Sequence, residues 1–103
     1  MSLTMTKGQA HIVARLRFYS SDEGGRKVPT PADRFGCIFS FEGENFDCFL
    51  LVQETGPLKP GNTAQVPIIF LHPELIRDQL SVGSHFTLRE LHPIADGRVE
   101  RIL

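Results

Sequence analysis

The chain has 103 residues, of which 41% are hydrophobic and 22% charged, with a formal net charge of -1. That length is one domain's worth of core. The balance is that of an ordinary soluble globular protein, without the strong field that draws a chain to nucleic acid or an anionic membrane. No apolar run approaches the ~20 residues a membrane-spanning helix needs.

Residues 1–9 carry no periodicity and are expected to form a fraying tail. Met1-Ser2-Leu3 reads as an appended leader, with Met5 as the natural start. From residue 10 the apolar period is two, which is the signature of a half-buried strand. Ile12, Ala14, Leu16 and Phe18 are expected inward, with His11, Arg15, Arg17 and Tyr19 outward. A long loop over residues 20–33 follows, containing Gly24, Gly25, Pro29 and Pro31.

The second strand is predicted at Arg34–Phe41, with Phe35, Cys37, Phe39 and Phe41 on one face. Glu42-Gly43-Glu44-Asn45 makes a hairpin turn, in which Gly43 or Asn45 can supply a positive φ. The third strand, Phe46–Val52, turns Phe46, Cys48, Leu50 and Val52 inward. Its other face carries Phe49 and Leu51, so the strand is expected to be central or covered. Together with Ile69, these residues form a possible association patch. Left open, the patch favours a homo-oligomer or a partner contact. The alternative is cover by the loop at 20–33 or by the N-terminal tail.

Gly56-Pro57-Leu58-Lys59-Pro60-Gly61-Asn62 is a turn-rich loop before a fourth strand at Thr63–Leu71, with Ala64, Val66, Ile68 and Phe70 inward. Pro67 cannot donate to a ladder, so this strand is expected at an edge or a bulge. Glu74–Leu80 reads as a helical turn and Gly83–Glu90 as the fifth strand, with Phe86 and Leu88 inward. His92-Pro93 and Asp96-Gly97 break the chain before a last strand near Arg98–Leu103. Six short strands with no long helix predict an all-β fold: a closed antiparallel barrel over residues 10–103, which leaves no edge for other chains to pair with.

Four blocks occur in order: Asp22-Glu23-Gly24-Gly25-Arg26 with Pro29; Pro60-Gly61-Asn62; the apolar strand ending Leu71-His72-Pro73; and Phe86-Thr87-Leu88-Arg89-Glu90. In order, spacing and strand context this pattern resembles the C-terminal β-barrel, the third domain, of elongation factor Tu. In that family the barrel packs against a GTPase domain and helps to hold aminoacyl-tRNA. The chain has no room for the other domains and lacks the Gly-x-x-x-x-Gly-Lys-[Ser/Thr] loop that cradles phosphates. The blocks around Glu23, Gly24, Gly25, Arg26 and around Arg89, Glu90 match segments that face the GTPase domain in the family. The resemblance thus implies a retained docking surface there, with a translational GTPase as the implied protein partner. The family's segments before strand two and before the last strand are replaced by Ala32–Gly36 and Leu91–Arg98. The second of these belongs to the tRNA-facing side, so the resemblance favours protein docking over tRNA binding.

No enzyme chemistry is expected. His11, His72, His85 and His92 form no close-spaced metal motif, and Ser20, Ser21 and Asp22 adjoin no general base. A small barrel fills its own interior and leaves no substrate cavity. No cofactor or metal is implied. Cys37 and Cys48 are read as buried thiols, set diagonally across the hairpin in a register unfavourable to a disulfide. Their reduced state and the lack of a secretory signal suit a cytoplasmic protein. The reading is a stand-alone, non-catalytic binding module. Its rivals are an RNA-binding module using Arg15, Arg17, Arg98 and Arg101, and a structural subunit of a homo-oligomer.

Overall fold

The structure is a computed structural model and describes residues 9–103; apart from Gln9, the expected tail lies outside the described residues. Six strands form: β1 Ile12–Phe18, β2 Arg34–Phe41, β3 Glu44–Leu51, β4 Thr63–Phe70, β5 His85–Arg89 and β6 Pro93–Ile102. They close into an antiparallel barrel in the order β1-β4-β3-β2-β5-β6. Short 3-10 turns occupy Ser21–Glu23, Pro73–Leu75 and Arg77–Gln79.

The alternation of each strand decides what fills the cylinder. Ile12, Leu16, Phe39, Leu50, Ile68 and Leu88 are fully buried, whereas Phe46 and Ala64, also expected inward, are half-buried at the margin of the core. The ring of Phe39 stacks on Phe86 at 4.1 Å between centroids and meets Phe70 edge-on at 4.9 Å. Such pairs each add about 0.5–1.5 kcal/mol beyond their buried area. No helix among the described residues is long and apolar enough to cross a membrane.

Four local expectations give way to the structure. The β2–β3 turn is tighter than the sequence suggested: Glu42 and Gly43 form it alone, with φ of 50° and 82°, and Phe41 pairs with Glu44. Positive φ at both central residues matches the right-handed twist of the flanking strands. This register sets Cys37 directly opposite Cys48 rather than on a diagonal.

Pro67 lies not on an edge strand but in β4, between β1 and β3. The β3–β4 ladder stops at Leu50 with Ile68, one residue short of the proline, so no rung there requires its missing N–H. Asp96-Gly97 does not break the chain either. Both lie inside β6, where Gly97 is buried opposite Leu16 and Phe86. A Cβ on Gly97 would stand 2.4 Å from Phe86 Cζ and 2.7 Å from Leu16 Cδ2, so the strand needs glycine to admit those two side chains.

Closure is uneven around the ring. β1 runs in register with β4 from Ile12 to Arg17 and pairs with β6 from Ile12 to Phe18, with one register shift between Val13 and Ala14. The β2–β3 hairpin, by contrast, pairs with β5 only over Ile38–Ser40 and with β4 only over Cys48–Leu50, with one further bond from the Leu71 N–H to the Asp47 carbonyl at 3.0 Å. Beyond those rungs the neighbouring chains diverge and leave concave surface outside the barrel.

Candidate functional site

The loop after β1 is built by its own residues. Ser20 caps the 3-10 turn: Glu23 N–H donates to Ser20 Oγ at 3.3 Å, and Ser20 N–H donates to Glu23 Oε1 at 2.9 Å. This reciprocal capping box gives the Ser20 N–H its partner and the Glu23 N–H a second acceptor beside the Ser20 carbonyl at 3.0 Å. Arg17 adds to it, donating from Nη1 to both Glu23 oxygens at 3.2 and 3.3 Å. The Ser20 N–H and then Arg17 hold the Glu23 carboxyl below its ordinary range. Gly24 follows in the left-handed region with φ of 90°. Gly25 is required for a different reason: a Cβ there would sit 2.2 Å from the Tyr19 carbonyl oxygen.

Arg26 then folds back on the barrel. Its guanidinium lies 4.7 Å over the Phe35 ring and donates to Glu90 Oε1 at 2.7 Å, to the Val28 carbonyl from Nε and to the Pro29 carbonyl from Nη2, both at 3.3 Å. Its side chain is 17% exposed. Arg26 therefore clamps the loop to the β5–β6 turn, with each of its three guanidinium nitrogens donating within the chain.

The structure brings Gly24, Gly25, Arg26 and Glu90 together around a cleft of about 250 Å³. Arg89 lines a second, larger groove of about 460 Å³ on the outer face of β2 and β3, with Ile38, Phe49 and Leu71. Glu90 and Leu91 line both concavities. Glu23 points elsewhere, toward Arg17. In the supposed association patch, Leu51 and Ile69 are buried with Ala10 in a small second apolar cluster. Phe49 is half-buried, with the Arg34 guanidinium 5.2 Å from its ring centroid. Those residues thus do not form one open patch.

The residue that sequence reasoning passed over is Leu91, which is 89% exposed and stands where the two concavities meet. The signal was an apolar side chain in a short strand connection, between Glu90 and His92, where a polar residue is the norm. Leu71, 46% exposed across the larger groove, is the second.

On the opposite side of the barrel, one outward row crosses four strands: His85 pairs with Arg98, Arg98 with Arg15, and Arg15 with Gln65. Arg15 reaches Glu100 at 3.5 Å, whereas Arg98 Nη2 rests 3.0 Å from His85 Nε2 and makes no ion pair among the described residues. Among the described residues, no three of His, Cys, Asp and Glu gather as a metal set would. No protein-family model and no curated protein matches the chain.

Proposed function

We propose that this barrel is a stand-alone, non-catalytic binding module that docks a protein partner across the surface centred on Leu91. The single observation that carries the reading is an almost fully exposed leucine set between two concavities, held in place by the Arg26–Glu90 clamp. An apolar side chain offered to water on a rigid support resembles the central anchor of an interface more than a solvated turn. Arg26 and Glu23 act as supports of the loop. Leu91, Leu71, Glu90 and Arg89 supply the contact surface.

The resemblance to the third domain of elongation factor Tu suggests the partner: a translational GTPase, met by the same blocks that face the GTPase domain in that family. The test is calorimetric titration of the chain with the isolated GTPase domain of an elongation factor Tu, in its GDP and GTP-analogue states. Binding that is lost in Leu91→Asp, with the β-sheet circular dichroism unchanged, supports the reading. Absence of binding in both nucleotide states removes the GTPase partner.

A second reading rests on the Arg15–Arg98 pair. Two like charges placed directly opposite on neighbouring strands cost stability, and among the described residues Arg98 makes no ion pair of its own to offset that cost. A phosphate backbone laid along this face would supply the missing charge. Binding to tRNA that weakens as salt rises, and that Arg98→Ser reduces, favours this alternative. A flat titration at low salt eliminates it.

A further inference from the structure

Cys37 and Cys48 are both free and buried, and their Sγ atoms lie 3.8 Å apart. From this we infer that they form an oxidative modification site, a cross-strand dithiol that takes a reversible disulfide from a low-molecular-weight disulfide such as oxidised glutathione.

The register is the first support. Directly opposite residues on antiparallel strands have Cα atoms about 4.5–5.5 Å apart, inside the window of about 4.4–6.8 Å that a disulfide accepts. The sulfurs need approach by only roughly 1.8 Å to reach bonding distance. The hairpin also fixes the pair against slippage. Its register runs unbroken from Arg34 with Leu51 to Phe41 with Glu44. A one-residue shift would turn Phe35, Phe39 and Leu50 out of the core. Each thiol therefore meets the other at a high effective concentration.

Access is the second support, and it differs between the two: both side chains belong to the barrel core, Cys37 being 9% and Cys48 2% exposed, so an incoming small disulfide reaches Cys37 first. The hydrogen bond with Cys37, together with burial, pushes the Cys48 thiol well above its ordinary range. Cys48 is thereby suited to follow Cys37 rather than to precede it, the lesser exposure of Cys48 pointing the same way.

The exchange balances in two steps. Cys37 thiolate attacks one sulfur of the small disulfide, breaking its S–S bond, forming a mixed disulfide and releasing one small thiolate. Cys48 gives up its proton and attacks the Cys37 sulfur, closing the protein disulfide and releasing the second small thiolate. In total, two protons and two electrons pass from the protein to the small disulfide, which leaves as two thiols.

The test uses the whole chain, equilibrated without oxygen in buffers of reduced and oxidised glutathione, once native and once unfolded in urea. Acid quenching, alkylation and mass spectrometry then count free thiols, and peptide mapping locates any bond. The native chain is expected to favour the intramolecular disulfide at least tenfold more than the unfolded chain, with the bond mapping to Cys37 and Cys48. An equal or smaller native constant would overturn the inference. So would accumulation of a mixed disulfide on Cys37, or native thiols that stay unreacted while the unfolded chain oxidises. No variant is needed, so a failure of altered cores to fold cannot obscure the result.

Discussion

The outer face over β1, β6 and β5 and the outer face over β2 and β3 come from the same two-residue alternation, yet their chemistry is opposite. On the first, charges answer one another: Arg17 lies between Glu23 and Asp96, and Arg15 and Gln65 both reach Glu100. On the second, Ile38, Phe49 and Leu71 line an open groove, with Leu91 standing almost wholly in solvent. Closure of the barrel dictates the inward residues and leaves the outward ones free. The polar face uses that freedom to pair its own groups. The apolar face leaves surface uncovered, which is why the docking reading rests there.

The strongest way to break this comparison is through a glycine at each face. Gly97→Val, beneath the polar face, drives atoms into Phe86 and Leu16 and is expected to cost about 3 kcal/mol or more, to the point of abolishing a cooperative urea transition. Gly36→Ala, on the apolar face itself, meets only the Phe49 ring, its nearest atom at 3.0 Å, and that half-buried ring can shift. Its cost should stay below about 1 kcal/mol. Equal costs for the two would mean that the apolar groove is as tightly packed as the core.

Arg26→Ala comes next, with an expected loss of about 1–2 kcal/mol from the charge-assisted bond to Glu90 and the stacking on Phe35. In Arg26→Lys, measured by the same unfolding curve, only part should return, because an ammonium cannot serve Glu90 and both carbonyls in one plane. Full recovery would show that charge alone holds the loop.

A smaller effect concerns the margin of the apolar cluster. His11 Nδ1 accepts from the Phe70 N–H at 3.0 Å, and burial, then the positive Arg77, lowers the His11 pKa. The folded chain thus binds this proton less readily than the unfolded one. Its contribution to stability is complete above about pH 6.5, the unfolded value, and is lost as pH falls toward the lower folded value. Stability measured by thermal melts should decline on acidification below that point, and His11→Gln should flatten that decline. The smallest effect belongs to the polar face. Arg98→Thr removes one of two facing like charges and is expected to stabilise the barrel by about 0.3 kcal/mol at low salt, fading as salt rises.

Much of the barrel was legible in the sequence because period-two patterning has one physical cause, a single buried face. Ile12, Ala14, Leu16 and Phe18 could hardly be read otherwise. What escaped were features that depend on the third dimension. Gly97 looks like a chain breaker in one dimension and is a packing requirement in three. Pro67 looks like an edge residue until the early end of the β3–β4 ladder is seen. The diagonal placement of the cysteines followed from a turn drawn too long. At the candidate site, the meeting of the Arg26 loop with Glu90 matched the blocks singled out in the sequence. That Arg26 is occupied within the chain could not be read, since its ionic partner Glu90 lies 64 residues away and its other acceptors, the Val28 and Pro29 carbonyls, carry no side-chain signal. Leu91 was readable and was passed over because turns are expected to be polar.

The uneven ladders carry one more consequence. Because the β2–β3 hairpin pairs with its neighbours only over Ile38–Ser40 and Cys48–Leu50, plus the single Leu71–Asp47 bond, whereas β1 is bound along nearly its full length, thermal breathing should not loosen the ring evenly. The hairpin swings out as one piece while β4, β1, β6 and β5 persist as a curved four-strand strip. Amide protons at those two short seams should exchange with deuterium earliest among the strands, and those of Ala14–Leu16 last.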